Sequence, residues 1–228
     1  MFAAPPTGSR DEDWERLAAA MGVRAGRLMR ITQVHGRDIR VVRRGAAPGP
    51  GATARPEADA VVSNDPGAGL LVQVADCVPI LIVDPVSGAA AAVHAGWRGT
   101  CAGIATETVD ALVREFGCRP ARMIAALGPS VGPEDYEVGE SLPDRFAEAG
   151  HGASIGRWFG REVPRGRLRL DLWRANADQL QRAGVPGESV YCAGLSTMRH
   201  PRWLESYRRE GERAGRMAAL IVVPEPRP

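Results

Sequence analysis

Three residues of this chain, His35, Cys77 and His94, have the types and surroundings to hold a metal ion. One thiolate and two imidazoles suit zinc, and three protein ligands leave a fourth position for water or substrate, as in catalytic sites. Cys77 opens the apolar, β-branched run Val78 to Val83, and His94 closes the small-residue run Ala89 to Val93. Asp84-Pro85 ends the first run and Ser87-Gly88 turns the chain into the second, so both read as buried strands. An antiparallel hairpin at that turn brings Cys77 and His94 together although they lie seventeen positions apart. His35 follows another apolar segment, Leu28 to Val34, and Gly36 lets the backbone turn behind it. Taken singly, a strand cysteine is usually a small hydrophobe and a lone histidine a satisfied polar group. What sets these histidines apart is that each stands near glycine at the end of an apolar run, where side chains reach a cleft.

The segment His94-Ala-Gly-Trp-Arg-Gly-Thr100 adds a second chemistry. Ile104, Val109, Leu112, Val113 and Phe116 share one helical face before Gly117, which predicts a helix starting just after this segment. Gly96 and Gly99 permit close backbone approach, and Thr100 is a candidate cap. A helix start offers N–H donors to an anion, and Arg98 adds a forked donor suited to phosphate. Trp97, Arg98 and Gly99 are therefore candidates for an anion site beside the metal. The competing reading puts Arg98 in an ion pair and Trp97 in the core. Arg208 or Arg209 is placed to close the anion site from the far side, or else lies in a solvated charged loop. Asp76 reaches the site only if the chain bends there, because neighbours on a regular strand face opposite ways.

Four blocks carry a family resemblance: Gln33-Val-His-Gly36, Ala75-Asp-Cys77 with Pro79-Ile80, Val93-His-Ala-Gly-Trp-Arg-Gly99, and Ser206-Tyr-Arg-Arg209. In order and spacing they resemble the bacterial laccase-domain proteins, the purine nucleoside phosphorylase and adenosine deaminase family also called polyphenol oxidoreductases or peptidoglycan editing factors. The resemblance runs from about His35 to Val223. It implies an α+β fold, a single-domain α-β-β-α layered sandwich with mixed sheets spanning residues 1–228. It also implies zinc on His35, Cys77 and His94, which would then be the catalytic residues, with Trp97, Arg98, Gly99 and Arg208 toward substrate and phosphate. The implied activity is a zinc-dependent purine nucleoside phosphorylase acting on a nucleoside and phosphate, with adenosine deaminase and methylthioadenosine phosphorylase activities beside it. Relatives usually carry an Arg-x-Gly-Gly-Val-Ser hairpin near the N-terminus. That sequence is absent here, so residues 1–27 are expected to form a shortened N-terminal segment, with Trp14, Leu17 and Met21 on one face of a helix over Asp11 to Met21.

The remaining sequence narrows the alternatives. Net charge is +2 with 29 basic and 27 acidic residues, so no nucleic-acid footprint appears in the total. Every basic residue is arginine, which excludes Schiff-base lysine chemistry and the lysine-dependent P-loop. The four cysteines lack zinc-ribbon or redox spacing, and no apolar run approaches a membrane span, so a cytoplasmic soluble protein is expected. The oligomeric state is left open.

Gly128-Pro-Ser-Val-Gly132 matches the G-x-S-x-G elbow of serine hydrolases, with Asp171 and His200 downstream in order. Pro129 and Pro133 argue against the strained turn and following helix that an elbow needs. A cysteine hydrolase using Cys77, a peptidoglycan-precursor amidase at the same metal, and a non-catalytic binding protein are further alternatives. A multi-copper polyphenol oxidase is chemically poor, since its four copper ions need more imidazoles than the four histidines supply. Gly45 to Pro56 reads as a mobile low-complexity loop, and Gly150 to Arg167 as a glycine- and arginine-rich connection.

Overall fold

The computed structural model describes residues 2–3, 11–46, 55–161 and 166–225. Most of the loop expected to be mobile, at 47–54, lies outside them. The strands are β1 (Phe2–Ala3), β2 (Leu28–Met29), β3 (Ile39–Val42), β4 (Ala60–Ser63), β5 (Gly69–Val74), β6 (Val78–Asp84), β7 (Ala89–Ala95), β8 (Ile124–Leu127), β9 (Phe159–Gly160), β10 (Arg169–Leu170), β11 (Val190–Cys192) and β12 (Met217–Val222). The helices are α1 (Asp11–Ala20), α2 (Trp97–Cys101), α3 (Ile104–Phe116), α4 (Leu142–Phe146), α5 (Ile155–Trp158), α6 (Leu172–Arg182) and α7 (Tyr207–Glu210).

Two mixed sheets result, one ordered β11-β8-β6-β7-β4-β3 and the other β1-β12-β5-β2. Period-two alternation sorts their side chains into layers. On β6, Ile80 and Ile82 pack with Ile104, Val109 and Leu112 of α3 and Leu180 of α6. Their neighbours Leu81 and Val83 turn the other way, onto Leu70 and Val72 of β5 and Ala219 of β12. Ala90 and Ala92 of β7 share that inter-sheet layer, where small side chains let the sheets come close. Leu71 of β5 faces outward again, onto Trp14 of α1 beside Leu220. The order is therefore helix, four-stranded sheet, six-stranded sheet, helices, the α-β-β-α sandwich expected from the resemblance. Each fully buried Leu, Ile or Val in these layers contributes about 1.5–3 kcal/mol.

Three local expectations are corrected. The helix after the His-Ala-Gly-Trp-Arg-Gly segment begins inside it, at Trp97, and is broken before α3 because Gly103 takes a left-handed φ of 80°. Thr100 caps nothing: it is buried in α2, and its hydroxyl pairs with the Asn176 side chain of α6. The connection from Gly150 to Arg167 holds α5, whose Trp158 is buried and donates its indole N–H to Asp178 at 2.8 Å. A single helical turn carries no periodicity for the sequence to show.

Candidate metal centre and its two cavities

Strand register assembles the centre. Pro79 pairs with His94 and Val78 with Ala95, so Cys77, one residue before β6, arrives beside the end of β7. The donor atoms of His35, Cys77 and His94 lie within 4.8 Å of one another, and the two imidazole rings meet edge to face at 4.8 Å. Among the described residues, the non-glycine residues with left-handed φ are His35 at 60° and Asp76 at 86°. Such conformations cost about 1–3 kcal/mol each and persist only where the surroundings over-determine them.

Both are held by buried carboxylates. Asp76 does bend out of strand geometry: its oxygens accept the Thr197 hydroxyl at 2.5 Å and the Arg208 backbone N–H at 2.6 Å. Asp59, fully buried just before β4, accepts the backbone N–H groups of Val34, His35 and Gly36 at 3.3, 3.0 and 2.6 Å. Its Oδ1 also lies 2.8 Å from Nδ1 of His94, which leaves Nε2 as that ring's free donor atom. The sequence reading did not single out Asp59. Its signal was an acid in the otherwise apolar Ala58-Asp-Ala-Val-Val62.

Burial alone would push the Cys77 thiol up, but the His35 and His94 rings outweigh it and bring the thiol down to about 7. Burial likewise opposes charge on His94, yet Asp59 and the Cys77 sulfur raise its imidazole to about 9. For Asp59 burial raises the carboxyl pKa, while the His94 ring and the N–H groups of Gly36 and His35 hold it below the ordinary value. Gly96 completes the centre by having no side chain, since a Cβ there would stand 2.9 Å from Cys77 Sγ and 3.3 Å from the His35 ring. A sulfur and two ring nitrogens converging in a space that only glycine leaves open fit a soft or borderline divalent metal.

The centre opens into a cavity of about 800 Å³ walled by Thr32, Gln33, Tyr136, Tyr207 and Arg208. Gln33 is spent on structure there, because its side-chain amide bonds the backbone N–H and C=O of Gln73 at 2.8 Å each. A second cavity of about 600 Å³ shares Tyr136 and Arg208 with the first and contains Trp97, Arg98 and Arg145. Trp97 and Arg98 thus line the neighbouring cavity rather than the metal's own, and Arg208 borders both. Gly99 lines neither: it is buried, and a Cβ there would meet the Gly36 carbonyl at 3.0 Å. Arg209 spends its guanidinium on Glu210 and on the carbonyls of Thr197 and Leu204.

The serine-hydrolase constellation does not assemble. Ser130 is fully buried, and its hydroxyl takes the Trp173 indole N–H at 2.6 Å and faces the Gly128 carbonyl. Asp171 caps α6 through the Arg174 N–H, and His200 Nδ1 pairs with the Ser196 carbonyl.

The sequence model of the family described as multi-copper polyphenol oxidoreductase laccase matches residues 9–224. The chain belongs to this family. The purine nucleoside phosphorylase of Deinococcus radiodurans is 42% identical over 214 residues, covering 93% of this chain and 77% of that protein. Purine nucleoside phosphorylase YlmD of Geobacillus stearothermophilus is 36% identical over 209 residues, 90% of this chain and 76% of its own length. Among solved structures, the Bacillus licheniformis hypothetical protein YfiH superposes with a TM-score of 0.85 at 28% identity, over 93% of this chain and 80% of that one. In this laccase-domain chain, His35, Cys77 and His94 are the one His/Cys/Asp/Glu group placed to hold a metal among the described residues. No helix among those residues is long and apolar enough to cross a membrane.

Proposed function

We propose that this chain is a purine nucleoside phosphorylase working in the 800 Å³ cavity over His35, Cys77 and His94. The observation that carries the reading is the convergence of these three donors at the floor of a cavity large enough for a nucleoside. The names of the Deinococcus and Geobacillus relatives support it. A phosphate oxygen attacks the ribose C1′, the bond from C1′ to the purine nitrogen breaks, and the base leaves after taking a proton. Tyr136 is suited to donate a hydrogen bond throughout, because burial and the Cys77 sulfur beside it push its hydroxyl up to about 12 and keep it protonated. Arg208 lies on the Tyr136 ring at 4.8 Å, where its charge reaches the substrate space.

Zinc is our assignment for the metal, with copper the poorer fit. His151 and His200 are both engaged with backbone carbonyls elsewhere, so a copper cluster has no further imidazoles to use. Bound zinc would supply Lewis-acid stabilisation of developing negative charge. Asp59 would keep the His94 ring aligned, and Gly96 would keep the thiolate's space open. Methylthioadenosine is a further phosphorolysis substrate on this reading. Adenosine deamination, in which water adds to the purine ring and ammonia leaves, is a second activity of the same cavity. The four free cysteines and the need for a thiolate ligand favour the reducing cytoplasm as its compartment.

The test is chromatography of zinc-loaded protein with adenosine and inosine, with and without phosphate, beside a His94→Ala control. Phosphate-dependent release of adenine or hypoxanthine, lost in the variant, is the expected result. Inosine formed from adenosine without phosphate shows deamination. Zinc retained with neither product sinks the nucleoside reading and makes peptidoglycan precursors the next substrates to try.

A further inference from the structure

Both sheets end on one side of the sandwich, where β2 is the edge strand of the four-stranded sheet and β3 that of the six-stranded one. Between these two edges the inter-sheet layer opens into a third cavity, of about 500 Å³. Its floor is apolar, for Met29, Ile31, Val42 and Val61 are buried members of that layer. Its charge is all of one sign: Arg30, Arg40 and Arg55 line it, and among the described residues no carboxylate does. Arg30 has its guanidinium over the Trp14 ring at 5.0 Å, which leaves Arg40 and Arg55 as the charges available to an occupant. Both are exposed, and neither has a carboxylate partner among the described residues. Arg40 also stands where the strand pattern calls for an apolar side chain. Ile39 and Val41 of β3 pack on the helix side, Val42 faces the inter-sheet layer, and Arg40 shares that face with Val42, opposite Val61 in register. An inward-facing charge on an edge strand can serve to deter pairing with another sheet. That accounts for Arg40 but not for Arg55, which lies outside any strand, nor for the open volume beneath them.

We propose that this third cavity binds an organic monoanion with an apolar body, the body lying between the sheets on Met29, Ile31, Val42 and Val61 and the anionic head on Arg40 and Arg55. The volume is in the range that organic ligands occupy. An inorganic anion would leave the apolar floor wet, and a neutral hydrocarbon would leave two guanidinium groups without a counter-charge. A ligand carrying both chemistries satisfies both, since its hydrocarbon gains from burial and its carboxylate from forked, charge-assisted hydrogen bonds. Two sources fit, an aliphatic chain or a planar aromatic ring, each ending in a carboxylate. Ile31 and Arg55 also wall the metal cavity, whereas His35, Cys77 and His94 lie outside the third one. The occupant is thus a neighbour of the substrate space rather than a ligand of the metal, and the site does not depend on the phosphorolysis reading.

The test is calorimetric titration of zinc-loaded protein with octanoate, 2-naphthoate, acetate and octylammonium, beside methyl spectra of protein labelled at the methionine Cε. At least one of the two larger carboxylates should bind, and the tighter of them names the source. Acetate lacks the body, and with each lost methylene weakening binding about fourfold it should give no measurable heat. Octylammonium reverses the charge and should bind at least about tenfold more weakly than octanoate. Arg40→Gln and Arg55→Gln should each weaken carboxylate binding about tenfold. Arg202→Gln, an exposed arginine lining none of the three cavities, should not. The Met29 methyl signal, assigned through Met29→Leu, should move on binding while that of Met123, buried in the helix-side core, stays in place. Removing zinc should leave the affinity unchanged, which separates this site from a carboxylate taken by the metal. The proposal is overturned if neither carboxylate binds, as expected were Arg40 there only to deter sheet pairing. It is equally overturned if octylammonium binds as well as octanoate, if neither cavity variant weakens binding or Arg202→Gln weakens it as much, if the Met29 signal stays still, or if binding disappears with zinc.

Discussion

Asp59 Oδ1 lies 2.8 Å from Nδ1 of His94, and the same carboxylate takes three backbone N–H groups around His35. One buried side chain thereby orients two of the three candidate metal ligands. Asp59→Asn keeps the shape and removes the charge, so it should weaken metal affinity about 10–100-fold, as loss of such outer partners generally does. Competition against a chromogenic chelator measures this. Unchanged affinity would show that the His94 ring and the His35 loop hold their places without the carboxylate.

Gly96→Ala tests the space around the thiolate. Its new Cβ would meet Cys77 Sγ at 2.9 Å, and Cys77 immediately precedes a central strand that cannot retreat. The variant should fold with the native circular dichroism spectrum but purify with little metal. Gly156→Ala, whose Cβ meets nothing within 4 Å, should retain it. Full metal content in Gly96→Ala would mean that the ligands lie elsewhere.

Proton counting gives a third prediction. With the Cys77 thiol at about 7 and the His94 imidazole at about 9, the metal-free protein at pH 8 carries a thiolate beside an imidazolium. Because a metal takes the deprotonated forms, its binding at pH 8 should release about one proton from this pair, and as pH drops through 7 Cys77 should add a second, so affinity falls more steeply there. Calorimetry in buffers of different ionisation enthalpy measures the count. In the same metal-free protein, alkylation of Cys77 should accelerate as pH rises through about 7, earlier than for an ordinary thiol at 9.0. Bound metal should block it, and metal-independent reactivity would favour a cysteine nucleophile.

Ser130→Ala separates architecture from catalysis. The substitution strips the Trp173 indole N–H of its acceptor and should destabilise the protein by about 1–3 kcal/mol, read from the urea midpoint. Turnover per folded molecule should be unchanged. A turnover collapse at unchanged stability would restore the serine to consideration.

The hairpin that joins Cys77 to His94 was legible because its turn and both strands are local signals in one stretch of chain. His35 was legible from its own flanks, and the layering followed from the resemblance. Asp59 was not, because its role appears only when β4 settles between β3 and β7 and its carboxylate meets a loop 24 residues earlier and a ring 35 residues later. Arg145 was hidden for a similar reason, since α4 is too short to give a pattern and its cavity gathers segments around residues 97, 137, 145 and 208. The broken helix after Gly96 shows the opposite failure, in which a good periodic signal from Ile104 onward concealed a separate short turn before it.

The three donors at His35, Cys77 and His94 come from a loop before β3, the residue just before β6 and the end of β7. An unfolded chain does not hold them together, so a metal that binds all three binds the folded state alone. The metal then acts on the folding equilibrium by mass action. Each tenfold rise in free metal above the dissociation constant adds about 1.4 kcal/mol to the stability of the whole sandwich. The apparent melting temperature is accordingly a property of the solution's metal concentration as well as of the chain.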